Sequence, residues 1–236
     1  MHYGIIAAGE GSRLRQEGVE LPKPLVNLDG HPMIERLIRI FIRCGAESVS
    51  VIVNEQMTDV QRFLVDLAPD LPVPLRFVVK STPSSMHSFY ELSRLMRGKG
   101  RFILTTVDTI FRESDFCPYV EAFSQAPDDV DGMMAMTDFI DDEKPLYIET
   151  SPDLDILAFR DTPWPEARFI SGGIYGLSEA AVDVLEDCLA SGVSRMRNYQ
   201  RALVAAGLHL KGFPMGKIID VDHAADIPVA QAFINS

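Results

Sequence analysis

Through its first half the chain alternates apolar, β-prone runs with helix-length segments whose apolar residues recur every three or four positions. The β-prone runs occupy residues 3–8, 48–53, 75–79 and 101–107, and the helical pattern occupies 33–43, 58–67 and 85–97. Near-continuous apolar runs suit strands covered on both faces, as in parallel sheets. Parallel neighbours need crossover connections, and their right-handedness puts the intervening helices on both faces of the sheet. After Asp108 the pattern is less regular, with helices expected at 114–123, 179–189 and 195–206, strands near 208–213 and 217–221, and a closing helix from about Ala225. The expected class is α/β, a mixed, mostly parallel sheet with helices on both faces. No Gly/Ser linker, low-complexity tract or repeat divides the chain, so residues 1–236 are expected to form one domain with halves 1–110 and 111–236.

The first strand runs directly into Ala7-Ala8-Gly9-Glu10-Gly11-Ser12-Arg13-Leu14. Glycines in such a loop admit positive φ and let a ligand approach the backbone, so successive N–H groups can face phosphate oxygens. A dinucleotide-binding GxGxxG needs glycine where Leu14 stands, and a P-loop needs Lys-Ser/Thr where Glu10 and Gly11 stand, so neither motif is present. Two cations mark this loop: Arg13 lies inside it, and Lys23 follows between Pro22 and Pro24, whose fixed φ angles restrict where the lysine points. Fixed cations stabilise a leaving pyrophosphate more than the ground-state triphosphate, because charge grows there as the bond breaks.

That grip has to be local. With 22 basic against 34 acidic residues and a net charge of −12, general affinity for nucleic acid or an anionic membrane is not expected. Residues 3–8 are too short for a signal-peptide core and lack a basic leader, and no run has the length of a membrane span, so a cytoplasmic location is expected. Cys44, Cys117 and Cys188 are odd in number and far apart, which reads as core thiols without disulfides, and the five histidines show no metal-ligand spacing.

Asp108 follows the apolar run 102–107, just beyond the carboxyl end of a buried strand, where open α/β sheets bind their ligands. Taken alone, an acid after a strand more often sits in a turn or caps a helix.

The loop string together with Pro22-Lys23-Pro24-Leu25 resembles the signature of the nucleotidyltransferase superfamily that includes sugar-1-phosphate nucleotidyltransferases, choline-phosphate cytidylyltransferases and molybdenum-cofactor guanylyltransferases. The resemblance implies a Rossmann-like fold of the nucleotide-diphospho-sugar transferase type, with a nucleotide-binding half at 1–110 and an acceptor-binding half at 111–236. It implies transfer of NMP from an NTP to a phosphorylated small molecule, a sugar 1-phosphate or an amino-alcohol phosphate, with release of pyrophosphate and Mg²⁺ as cofactor. Ala7, Ala8 and Gly9 would lie by the base and ribose, Gly11, Ser12 and Arg13 would bind phosphates, and Lys23 would act at the reacting centre. Asp108 would be a metal ligand, and Ile219-Asp220-Val221-Asp222-His223 resembles the segment that completes the metal site. Alternation puts Asp220 and Asp222 on one side of a strand, so either could face the metal, with preference for Asp222. Asp226 reads as helix-capping.

On the acceptor side, Phe169-Ile170-Ser171-Gly172-Gly173-Ile174-Tyr175 resembles a strand that lies against the acceptor, although paired glycines equally suit a bulge. Arg160 sits where relatives carry a phosphate-binding lysine, and Glu149 either holds an acceptor hydroxyl or ends a strand. The segment Ser81-Thr82-Pro83-Ser84-Ser85 departs from the Gly-Thr-Ala common in sugar enzymes. Ser84 and Ser85 either read a base or acceptor, or cap the following helix. Donor base, acceptor and oligomeric state stay open, as does a non-catalytic nucleotide-binding module of the same fold.

Overall fold

The computed structural model describes residues 1–140 and 143–236. The first half builds β1 (His2–Ala7), α1 (Ser12–Gln16), the short hairpin β2 (Asn27–Leu28) and β3 (His31–Pro32), α2 (Met33–Arg43), β4 (Ser48–Val53), α3 (Thr58–Leu67), β5 (Leu75–Val79), α4 (Ser85–Ser93), β6 (Phe102–Thr106) and β7 (Thr109–Ile110). There follow α5 (Glu113–Ser124), β8 (Gly132–Thr137), β9 (Tyr147–Thr150), β10 (Ile156–Arg160), β11 (Phe169–Leu177), α6 (Glu179–Ala190), α7 (Met196–Ala205), β12 (Leu210–Pro214), β13 (Ile219–Asp220) and α8 (Asp226–Ile234).

The main sheet runs in the order β10-β9-β11-β6-β1-β4-β5, with β8 joined to β11 and carrying β12. The run β6-β1-β4-β5 is parallel, with Ile5 opposite Val51 on one side and Thr105 on the other. Strand β11 then joins β6 antiparallel and turns the sheet mixed. Alternation along β1 decides which layer each side chain enters. Tyr3, Ile5 and Ala7 enter one apolar layer with Leu37 and Phe41 of α2, Val60 and Leu64 of α3, and Phe116 of α5. Ile6 enters the opposite layer with Phe89 and Leu92 of α4, Leu185 of α6 and Tyr199 of α7. Both layers draw residues from both halves of the sequence.

Two expectations change. The helix expected over 85–97 ends at Ser93, because the bonds Leu95 N–H to Leu92 O and Met96 N–H to Ser93 O tighten its last turn before Gly98, which stands at φ 75°. The thiol reading holds for Cys188, which is buried and free, but Cys44 and Cys117 form a disulfide across a sequence separation of 73. Packing α2 and α5 on the same face of the sheet brings their Cα atoms to 5.4 Å, a proximity that no spacing in the sequence encodes.

Candidate active site

Strand β1 delivers the glycine loop to the carboxyl end of the parallel strands. Gly11 stands at φ 60°, in the left-handed region, and a Cβ there would lie 3.1 Å from Cβ of Lys23. Glycine at 11 therefore serves both the turn and the close passage of the lysine segment. A Cβ on Gly9 would meet nothing within 4 Å, since this part of the loop faces open space. The N–H groups of Gly9, Glu10, Gly11 and Ser12 have no hydrogen-bond acceptor among the described residues.

Residues 23–25 form a single 3₁₀ turn closed by Leu25 N–H to Pro22 O at 2.8 Å. From it Lys23 reaches inward, and its Nζ donates to Oδ2 of Asp108 at 2.5 Å and to Oδ1 of Asp222 at 2.7 Å. Arg13 donates from Nη1 to the other oxygen of Asp222 at 3.1 Å. Burial works against the charge on Lys23, but Asp108 and Asp222 outweigh it and hold its pKa above that of an ordinary lysine. Burial likewise opposes ionisation of Asp222, and Lys23 with Arg13 overcomes it, leaving that carboxyl below its usual range. Lys23 and Asp222 are therefore both charged at neutral pH.

The two carboxylates meet because a two-strand sheet joins their segments. Asp220 pairs with Thr109 and Ile219 with Ile110, and the N–H of Val221 donates to the carbonyl of Asp108 at 3.1 Å. Beneath this sheet lies a third apolar cluster, in which Leu14 of α1, Ile110, Val221 and Phe233 of α8 pack together. Asp226, expected to cap the helix, instead opens α8 and accepts from the N–H groups of Asp222 at 2.9 Å and His223 at 2.7 Å, so it holds the preceding turn, while Ala225 occupies the N-cap and no side-chain cap bond forms. Asp222 thus faces the lysine, while Asp220 is exposed.

Two clefts adjoin this centre. The first, about 520 Å³, is lined by the glycine loop, Lys23, Asn54, residues 81–85, Ser88, Thr106 and Asp108. The second, about 340 Å³, is lined by Phe139, Ser171, Gly172, Arg197, Asp220 and His223. Arg13 and Asp222 line both, so the charged centre stands where the clefts meet.

Ala8, Gly9, Gly11, Ser12, Arg13, Lys23, Ser84, Ser85, Asp108 and Asp222 all border the first cleft, and Ala7 ends β1 just beneath it. Ser84 occupies the position before α4, but no side-chain cap bond forms; its Oγ lies 2.8 Å from Nδ1 of His87 instead. Gly172 and Gly173 sit in a register irregularity of β11 against β8. A Cβ on Gly172 would come within 2.4 Å of Ile218, and Gly173, at φ 72°, would crowd Thr109 at 2.9 Å, so packing alone accounts for both glycines. Glu149 and Arg160 pair with each other across β9 and β10 at 2.5 Å, with Arg160 over the Trp164 ring, and neither borders the clefts.

Two residues of the clefts carry no sequence signal strong enough to single them out. Asn54, buried at the carboxyl end of β4, donates to Ala8 O at 3.2 Å, while its Oδ1 accepts from Gln56 N–H at 2.9 Å and Ser81 Oγ at 3.0 Å. It ties the glycine loop to the serine segment, and the only hint was its place as the first side chain after an apolar strand. Arg197, on α7, lines the second cleft and donates to Asp161 at 2.7 Å and to the Lys144 carbonyl at 2.8 Å.

Residues 4–153 match the family model described as the MobA-like NTP transferase domain. A mannose-1-phosphate guanyltransferase of Hypocrea jecorina is 30% identical over 95 residues, covering 40% of this chain and 26% of that protein. A 2-aminoethylphosphonate cytidylyltransferase of Lancefieldella rimae is 43% identical over 50 residues, covering 21% and 20%. The chain therefore spans only about a quarter of these relatives' lengths in the matched regions. The solved inositol-1-phosphate CTP transferase of T. maritima superposes with a TM-score of 0.80 at 18% identity, over 100% of this chain and 96% of that one, a likeness of fold.

Proposed function

This chain belongs to the MobA-like NTP transferase domain family, and on that footing we propose that it is a nucleotidyltransferase whose acceptor phosphate oxygen attacks the α-phosphorus of an NTP and expels pyrophosphate. The observation that carries this reading is Lys23, held between Asp108 and Asp222 where the two clefts meet. A binding-only module has no need of a half-buried lysine clamped by two carboxylates at such a junction.

The first cleft would take the NTP. The unpaired N–H groups of the glycine loop and the Arg13 guanidinium would hold the β- and γ-phosphates, and Lys23 would neutralise charge on the transferring phosphoryl group. The second cleft would take the acceptor, with Arg13 and Asp222 on the boundary between the two reactants. An acceptor phosphomonoester is already largely anionic near neutral pH, so the reaction needs positioning and charge neutralisation rather than a general base.

The residues present fit a divalent cation. One ammonium already bonds an oxygen from each of Asp108 and Asp222, so a small cation can be shared by the same pair. Among the described residues no group of three or more His, Cys, Asp or Glu is arranged for a metal, which suits Mg²⁺ completed by water and phosphate rather than a closed protein cage. Mg²⁺ held by Asp108 and Asp222 would supply charge neutralisation on the phosphates.

We read the two halves as one domain, since both apolar layers are shared between them. We place the reaction in the cytoplasm, where NTPs are made. Disulfides are rare there, so the redox state of Cys44 and Cys117 in cell extracts tests that placement. No described helix is long and apolar enough to cross a membrane.

The names of the relatives point to two acceptor classes, sugar 1-phosphates and aminoalkylphosphonates. Pyrophosphate release is measured with CTP, UTP, GTP, ATP and dTTP against both classes in Mg²⁺. One donor–acceptor pair should stand out, and Asp108→Asn should abolish its turnover while circular dichroism stays native. Full activity in that variant would sink the assignment, and NTP binding without release for any pair would favour the non-catalytic module.

A further inference from the structure

Behind the β7–β13 sheet, away from both clefts, lies a separate cavity of about 570 Å³. Four arginines line it: Arg36, Arg39 and Arg43 from one stripe of α2, and Arg112 from the start of α5. Such a concentration runs against a chain of net charge −12. Leu28 and Ile40 supply apolar wall, and the volume is that of ordinary small-molecule pockets.

The guanidinium groups are not equally compensated. Arg39 pairs with Glu35, and Arg43 with Glu113 at 2.6 Å. Arg112 packs on the Phe233 ring and bonds Ser236. Arg36, half-buried, makes a single hydrogen bond, from Nη2 to the Phe111 carbonyl at 2.6 Å, and has no carboxylate within ion-pair distance among the described residues. Burial first, and then repulsion from Arg43, push Arg36 down to about 10 against the attraction of Glu113 and Asp29. A half-buried cation with donors to spare, which Glu113 and Asp29 attract without bonding it, is only partly compensated in the folded protein.

We infer that this cavity is a second anion site, which binds a phosphate dianion, free or as the head of a small phosphomonoester, on Arg36 with Arg43 and Arg112. Guanidinium forks match tetrahedral oxyanions in both geometry and charge. Asp29 and Glu113 also line the cavity and limit it to one such group, because a more extended polyanion would meet them. The segment from Asp108 through β7 continues through Phe111 to Arg112, so the site adjoins the active centre by backbone without sharing a lining residue with its clefts.

Crystals grown without phosphate or sulfate are soaked in tungstate, a tetrahedral oxyanion located by its anomalous scattering. In parallel, inorganic phosphate and glycerol phosphate are titrated by thermal shift into native, Arg36→Gln and Arg43→Gln protein. The glycine loop contributes equally to all three proteins, so the difference between them reports the cavity. A tungstate peak beside Arg36, with half or more of the phosphate-induced rise in Tm lost in either folded variant, bears the inference out; which of the two ligands gives the larger shift tells free phosphate from a monoester. Arg43→Gln, a surface change, decides the matter should Arg36→Gln fail to fold. A peak at the glycine loop only, or a full shift in every folded variant, overturns it, and a peak without any change in the shift marks an adventitious ion only.

Discussion

The N–H of Val221 donates to the carbonyl of Asp108 at 3.1 Å, and this bond extends the β7–β13 pairing by one residue into the active centre. The strand ends at Asp220, and the turn that follows it separates the two acids: Asp222 meets Lys23, whereas Asp220 opens toward the second cleft. Asp222→Asn removes a charge from the Lys23 and Arg13 cluster and is expected to lower kcat about 10²-fold or more, the usual cost of losing one group that stabilises transition-state charge. Asp220→Asn is expected to raise KM for the acceptor with a smaller change in kcat. Steady-state kinetics of the two variants side by side check this, and equal losses of kcat would remove the distinction.

Asn54 joins Ala8 to Ser81 and so fixes the width of the first cleft. Asn54→Ala strands a buried carbonyl and the Gln56 N–H, and each unmet partner costs about 1–3 kcal/mol. The expected result is a lower urea midpoint together with a raised KM for the NTP and an unchanged KM for the acceptor. A selective effect on the acceptor would show that the clefts are assigned the wrong way round.

His209 and His2 should titrate in opposite directions from the ordinary value of 6.5. The hydrogen bond to Asp155, aided by Asp129, raises His209. Burial lowers His2, with Glu47 only partly offsetting it. The contribution of His209 to stability is therefore complete below its unfolded value and fades as pH climbs through its folded one, while that of His2 is present above the unfolded value and fades as pH falls. NMR titration of the ring protons should order His2 below His209, and His209→Gln should flatten the fall in urea midpoint as pH rises above the ordinary value of 6.5.

The Cys44–Cys117 bond closes a loop with a sequence separation of 73 and fastens α2 to α5. Cys117→Ser is expected to lower unfolding free energy by about 2–4 kcal/mol under non-reducing conditions. Dithiothreitol should destabilise the native protein by a similar amount and leave the variant unaffected. Since neither Cys44 nor Cys117 lines a cleft, kcat should stay within about twofold of native, far from the losses expected of charged active-site groups.

The sequence by itself determined the parts that depend on local periodicity and local chain chemistry. Apolar runs such as 48–53 can lie only in a doubly covered strand, and the spacing of Leu37, Ile38 and Phe41 can bury only one face of a helix. The glycine loop, Arg13 and the proline-flanked Lys23 were legible because few segments combine open backbone with fixed cations, and Asp108 was legible as the residue that ends a buried strand. What only the tertiary structure decided lies between distant segments. The bond between Asp222 and Lys23 came from the pairing of β13 with β7, the disulfide from two helices sharing one face of the sheet, and the link through Asn54 from parallel strands ending side by side. It also paired Glu149 with Arg160 away from the clefts and put Arg197 at the second cleft. Periodicity reports which face of an element is buried, but a partner across the fold is set by packing geometry, and no local spacing carries that information.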